Sequence, residues 1–299
     1  MKTMGNLCHL LCDVAALYFV LVAQVSLGSI VSTGNFNEDF YITWSPDHVN
    51  TSLDGHLRTL KLDHSSGSGF SSNEKFLFGQ FDMKIKAVPH YSAGVVVAYY
   101  LQSPDGDTRD EIDFEFLGNV TGQPIILQTN IYINGFDNRE ERIFLWFDPT
   151  EDFHTYSIIW NIHQLVFMVD WKPIRVYKNH SNQGVAYPSN RPMNLMASIW
   201  NGENWATRGG QDKINWTYAP FIASYKDYMI DACVWNGDPR DCSAVSETNW
   251  WNKDDFLTLT GWLRAQLEWV RKNFLVYDYC QDTKRFKNRM PKECSLPKY

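Results

Sequence analysis

From about residue 36 to residue 230 the apolar positions recur mostly at every second residue. Gln80-Phe81-Asp82-Met83-Lys84-Ile85-Lys86 alternates strictly and puts Phe81, Met83 and Ile85 on one face, as a half-buried strand requires. Ala93 to Leu101 is rich in Val and Tyr. Thr155-Tyr156-Ser157-Ile158-Ile159-Trp160 and Leu165-Val166-Phe167-Met168-Val169 flank Asn161-Ile162-His163-Gln164, a pattern that predicts a hairpin. Gly, Pro, Asn and Asp punctuate the intervals, and Ser65-Ser66-Gly67-Ser68-Gly69 reads as a turn. Many short strands joined by turns, with no βαβ alternation and no phosphate loop, predict an all-β fold, an antiparallel sandwich.

The period changes near the end of the chain. Leu259, Leu263, Leu267, Val270 and Phe274 fall at helical spacing, with Trp262 and Trp269 nearby. Asn252 to Asp255 supply candidate N-caps. The segment is expected to form one helix on the sandwich. Its length of about 70 residues is marginal for independent folding, so it reads as an extension.

Composition adds the compartment. The chain has 299 residues and a net charge of −7, with no basic run, so nucleic acid is not expected as a partner. Lys2, an apolar stretch from Val14 to Val25 and the small residues around Ser26-Leu27-Gly28 read as a signal peptide cleaved before Ser29. A signal anchor is the alternative; after cleavage no stable membrane association is expected. Of six cysteines, Cys8 and Cys12 lie in that leader. Cys233, Cys242, Cys280 and Cys294 remain and allow three pairings; the short loops favour Cys233–Cys242 and Cys280–Cys294. Zinc is the rival, but no Cys-x-x-Cys spacing supports it. The glycosylation sequons at Asn50, Asn119, Asn179 and Asn215 fit secretion. His154 and His163 read as structural. Neither a metal nor a cofactor is expected, and the chain reads as a monomer.

The most informative run is Asp110-Glu111-Ile112-Asp113-Phe114-Glu115-Phe116-Leu117-Gly118-Asn119. Alternation sends Ile112, Phe114 and Phe116 into a core and puts Glu111, Asp113 and Glu115 together on the opposite face. Carboxylates two residues apart on a strand sit ~6.6 Å apart, and each ionised pair costs roughly 2.5 kcal/mol at an effective dielectric near 20. Such repulsion raises at least one pKa, which is the condition for acid/base catalysis by a charged and a protonated carboxyl. A solvated strand face and a calcium site are the alternatives at this point. Glu111 and Glu115 would be ~13 Å apart at their α-carbons on a flat strand, whereas retaining glycosidases hold their carboxyls ~5–5.5 Å apart, so the strand is expected to curve.

This run resembles the catalytic signature of plant xyloglucan endotransglucosylase/hydrolases, in family sixteen of the glycoside hydrolases. The likeness begins at Gly34-Asn35-Phe36 and passes through Ser66-Gly67-Ser68-Gly69-Phe70, Leu145-Trp146-Phe147-Asp148-Pro149-Thr150 and Trp205-Ala206-Thr207-Arg208-Gly209-Gly210. It ends at Tyr277-Asp278-Tyr279-Cys280 and Glu293-Cys294. The resemblance implies a jelly-roll sandwich with an open concave cleft and an endo-acting retaining reaction on xyloglucan donor and acceptor chains. It implies Glu111 as nucleophile, Glu115 as acid and then base, and Asp113 as the group that orients and tunes the nucleophile. It implies cleft contacts from Gln128, Thr129 and Asn130 and from Asn138, Arg139 and Glu140. Asn204, Trp205, Gly209 and Arg285 would serve the acceptor side, with core packing for Trp205 and a surface charge for Arg285 as the plainer alternatives. Asn119 matches a glycan site of the family.

The sequence also departs from the family. Arg109 stands where His is usual, Trp171 where an acid follows Asp170, and Lys287 where Pro follows Arg285-Phe286. The expected organisation is a signal peptide over 1–28, a catalytic jelly roll over 29–230 and a C-terminal extension over 231–299. The resemblance also implies transfer over hydrolysis, because the family's predominantly hydrolytic members carry a longer loop near the acceptor side than the Tyr132–Leu145 stretch here; a non-catalytic glycan-binding protein of the wall is the alternative from another class.

Overall fold

The structure, a computed structural model, describes residues 30–287 and 289–299; the leader, its cleavage point, Cys8 and Cys12 lie outside them. The fold is an antiparallel sandwich whose two layers share one long strand. That strand, β4 (Ser68–Lys86), follows β1 (Phe40–Trp44), β2 (Val49–Thr51) and β3 (Leu57–Leu62). Its first half pairs with β1 and with β12 (Met193–Asn201). Its second half pairs with β9 (His154–Trp160) and β13 (Phe221–Val234). The change of layer falls at Phe78 and Gly79, with φ of 69° and 146°. A Cβ at Gly79 would lie 2.4 Å from the Cβ of Ala232, so only glycine lets the strand pass there.

The concave layer runs β1-β4-β12, then β5 (Val95–Gln102), β6 (Glu111–Leu117), β7 (Ile126–Tyr132), β8 (Glu141–Phe144) and β14 (Leu275–Asp278). The other layer runs from β11 (Lys172–Lys178) through β10 (Gln164–Val169), β9, β4 and β13 to β3 and β2. The expected hairpin is the β9–β10 pair, with Leu165 opposite Trp160. Between the layers Phe114 packs edge-on to Phe167 at 5.2 Å and Phe116 to Tyr156 at 4.7 Å. Phe81, Met83 and Ile85 enter the same core, as their alternation requires.

The tail differs from its expectation in two ways. Asn252 to Asp255 do not cap the helix; they lie in 3-10 turns, and α3 (Gly261–Phe274) starts at Thr260, whose hydroxyl accepts from the Leu263 N–H. The chain then returns as β14 against β8 and so lengthens the concave layer by one strand. The short helices are α1 (Phe36–Asp39) and α2 (Pro239–Ser243). Both expected disulfides, Cys233–Cys242 and Cys280–Cys294, are formed. The division expected at 230/231 falls inside β13, which continues to Val234. Among the described residues no helix is long and apolar enough to cross a membrane.

The tail also seals the outer face of the second layer. Trp251 is fully buried, and Trp250 donates its indole N–H to Asp231 at 2.9 Å. Asp231 stands opposite Gln80, next to Asp82, and both acids are buried. Burial, and then the charge of Asp231, push the Asp82 carboxyl up to about 6. The folded state therefore holds a proton that the unfolded chain gives up near pH 4, and stability falls as pH rises between those two values. We expect Asp82→Asn to flatten this dependence and to raise stability above pH 6 by up to about 3 kcal/mol, read from denaturant unfolding at pH 4 and pH 7.

Candidate active site

β6 behaves as its pattern requires. Ile112, Phe114 and Phe116 are buried in the core, and Glu111, Asp113 and Glu115 face the concave side. Each acid has cross-strand neighbours: Gln102 and Tyr132 beside Glu111, Tyr100 and Asn130 beside Asp113, Ala98 and Gln128 beside Glu115. These neighbours separate the three charges into different environments.

Glu111 Oε2 accepts from Arg109 Nε at 2.6 Å and from the Gln102 amide. Arg109 lies over the Tyr132 ring, 4.8 Å from its centroid. Asp113 is buried, and desolvation, followed by the charges of Glu111 and Glu115, holds its carboxyl well above the usual range. Glu115 accepts from Gln128 Nε2 at 2.5 Å. Burial, opposed by that bond and reinforced by the charges of Glu111 and Glu140, pushes Glu115 up to about 7. One face therefore offers an ion-paired carboxylate and a carboxyl that stays protonated into the neutral range.

The residues in line with Glu115 cross the whole layer. The row runs from Trp44 through Gly69, Ser198 and Ala98 to Glu115, then through Gln128 and Arg142 to Tyr277. At one end the Trp44 ring is 38% exposed and lies on Gly69, where a Cβ would come within 2.4 Å of it. At the other end Arg142 donates to Gln128 Oε1 at 2.6 Å and spreads over the Tyr277 ring. Arg285 then binds Glu140 at 2.7 Å, the Tyr277 hydroxyl at 3.1 Å and Asn138 Oδ1. An exposed aromatic, a polar floor and a cationic far edge suit a chain of hydroxyl-bearing rings.

The expected contact residues do not all meet. Gln128 and Asn130 face the cleft, though Asn130 Oδ1 is occupied by the N–H groups of Ile131 and Arg139. Thr129 corrects the expectation: alternation turns it to the core face, where Arg175 donates to its hydroxyl and carbonyl, both at 2.9 Å. Arg139 is a second correction. Its guanidinium turns to Glu293 at 2.8 Å and to the Phe136 carbonyl at 3.0 Å, so it holds the tail. Asn204, Trp205 and Gly209 lie on one loop at the Leu117 end of β6, pinned by Thr207 to the Gly118 carbonyl at 2.6 Å. Trp205 meets Trp200 at 5.9 Å over Val96 and Leu117, while exposed Gly209 has a φ of 67°. This loop stands apart from Arg285, which lies beyond β8.

Asn119 lies just past β6 and donates its amide to the Pro124 carbonyl at 2.9 Å. His154 pairs with Asp170, and His163 meets the Asn252 carbonyl, both within the fold. Trp171 occupies a tight turn with Asp170, both at positive φ, and is exposed. Lys287 has a φ of 48°, a conformation closed to proline. Among the described residues no three His, Cys, Asp or Glu side chains are grouped to hold a metal.

Several cleft residues escaped the sequence reading: Trp44, Tyr100, Gln102, Tyr132, Arg142 and Tyr277. The bulge between Ile42 and Trp44 breaks the parity that would have marked Trp44.

A profile of Glycosyl hydrolases family 16 matches residues 36–218, and one of the Xyloglucan endo-transglycosylase (XET) C-terminus matches residues 245–294. A probable xyloglucan endotransglucosylase/hydrolase from Arabidopsis thaliana is 63% identical over 279 residues, 93% of each chain. The chain belongs to glycosyl hydrolases family 16, among the xyloglucan endotransglucosylase/hydrolases. A xyloglucan endotransglucosylase from Diospyros kaki is 48% identical over 95% of this chain and 96% of its own. Among solved structures, the Bacillus licheniformis β-glucanase aligns with a TM-score of 0.51 at 23% identity, over 70% of this chain and 94% of its own. A lichenase from a mouse hindgut metagenome aligns with 0.52 at 23% identity, over 68% and 92%. These two share the fold of this chain.

The Gln128 bond favours the charged form of Glu115, so its loss must raise the Glu115 pKa further. We expect the Glu115 carboxyl to titrate near pH 7 and, in Gln128→Ala, at a higher pH, read by carbon NMR of side-chain carboxyls.

Proposed function

We propose that this protein is a secreted xyloglucan transglycosylase of the plant cell wall. It would cut the β-1,4-glucan backbone of one chain and join the fragment to another. The observation that carries this reading is the contrast between two carboxyls on one cleft floor: Glu111 ion-paired to Arg109, Glu115 pushed up to about 7. A retaining glycosidase needs that division of labour.

In this reading Glu111 attacks the anomeric carbon while Glu115 gives its proton to the departing glucosyl oxygen. A covalent glycosyl-enzyme results. Asp113, kept neutral by burial beside Glu111, orients the nucleophile and adds no second negative charge. Glu115, now a carboxylate, takes the proton of the incoming hydroxyl, and the new glycosidic bond forms as the bond to Glu111 breaks.

Transfer requires that a sugar hydroxyl reach the intermediate before water does, which favours a preorganised acceptor track. Two features support this. The connection between β7 and β8 is short, and Arg285 closes its end on Asn138 and Glu140. β14 carries the concave layer one strand further on the same side. Asn204, Trp205 and Gly209 would border the cleft at its rim, and Asn119 would carry a glycan. The family's substrate and the expected leader support an activity outside the cell.

Two outcomes are expected. With xyloglucan and a labelled xyloglucan oligosaccharide, label should enter long polymer with little gain of reducing ends, and Glu111→Gln should abolish this while leaving the unfolding transition in place. Reducing ends rising without label uptake would make the protein a hydrolase; neither signal from folded protein would leave a glycan-binding role. The first chemical step needs Glu115 protonated, so turnover should decline as pH rises through about 7. A rate that still climbs above that pH would remove Glu115 from the role of acid.

A further inference from the structure

Arg109 touches the reacting carboxylate itself and stands where the family usually has histidine. We propose that Arg109 is a positioning residue that shortens the life of the glycosyl-enzyme by stabilising Glu111 as a leaving carboxylate, an inference that rests on the reading of Glu111 as nucleophile. The guanidinium is in place without substrate. Its Nε meets Glu111 Oε2 at 2.6 Å, its plane lies over Tyr132 and its backbone ends the 3-10 turn Gly106–Thr108. The Gln102 amide joins it on the same oxygen. Attack then falls to Oε1.

The consequence follows from where charge sits along the reaction. Glu111 is a full anion in the free enzyme, a partial one in each transition state and a neutral ester in the intermediate. When Oε1 bonds to the anomeric carbon and the departing oxygen takes the proton from Glu115, Arg109 loses most of its partner. Its attraction is therefore strongest before the first step, weaker in the transition state and weakest in the ester. Relative to bound substrate, Arg109 raises the barrier to glycosylation. Relative to the ester, it lowers the barrier to release, because the electron pair of the breaking C–O bond returns to an oxygen that already faces a cation. Asp113 shares the face with Glu111 too, but burial holds it neutral, so it supplies no such charge. Neutral imidazole at position 109 would likewise lack it.

The test uses the full secreted chain and an aryl β-glycoside of a xyloglucan oligosaccharide as donor. Rapid quenching followed by intact-mass measurement gives the fraction of glycosyl-enzyme, and a chase with unlabelled oligosaccharide acceptor gives its lifetime. Both are compared in wild type, Arg109→Gln and Arg109→Lys. The lifetime is a first-order constant and does not depend on how much of a variant folds. We expect Arg109→Gln to accumulate glycosyl-enzyme on Glu111 and to lengthen its life by at least about tenfold, the size of one charge-assisted hydrogen bond. Arg109→Lys should recover most of the short lifetime. Equal lifetimes in all three proteins, or Lys behaving as Gln does, would overturn the proposal. A wild type that neither turns over nor gains mass would overturn the enzyme reading, and this inference with it.

Discussion

Three carboxyls on one face of one strand are the constraint that the rest of the concave layer answers. Their spacing is fixed by strand geometry, so repulsion can be relieved only by changing what surrounds each one. The neighbouring strands do this unequally. Arg109 and Gln102 stabilise charge at Glu111, burial removes it from Asp113, and Gln128 meets Glu115 with an amide and no formal charge. Folding without function would gain from removing this strain. Its retention beside an aromatic-edged cleft is the physical argument for chemistry there.

The apolar side of the same strand holds the acids in place. Phe114 and Phe116 are gripped by Tyr156 and Phe167 of the opposite layer. A shift of register by one residue would send all three acids into that core. The cleft floor is as rigid as the sandwich beneath it because the same residues define both.

The tail is joined to the cleft edge by charge. Arg271 bridges Glu141 and Asp278, Lys298 also meets Asp278 at 2.7 Å, and Arg139 meets Glu293 at 2.8 Å. Most of these groups are largely buried, so removing one partner would strand a charge in a poor solvent for it. Arg175 adds bonds from β11 to Thr129 and to the Arg139 carbonyl, tying the edge of the second layer to the cleft edge. The last residues of the chain thereby support the surface that β14 and Arg285 present.

Local pattern was enough for what depends on neighbours along the chain. Alternation placed Glu111, Asp113 and Glu115 together and Phe81, Met83 and Ile85 in the core, and short loops favoured the two disulfides that form. Local pattern failed wherever a partner distant in sequence decided the outcome. The resemblance put Thr129 and Arg139 in the cleft; alternation already turns Thr129 away from it, and only the fold shows Arg175 and Glu293 holding the two. Trp44 and Arg142 carry no motif of their own, the motif that holds Tyr277 gave it no place in the cleft, and all three join the row of Glu115 only because eight strands align side by side. Sequence sets which faces of a strand are polar; only the assembled sheet sets which polar faces share a cleft, because that depends on strand order and register between residues far apart in the chain.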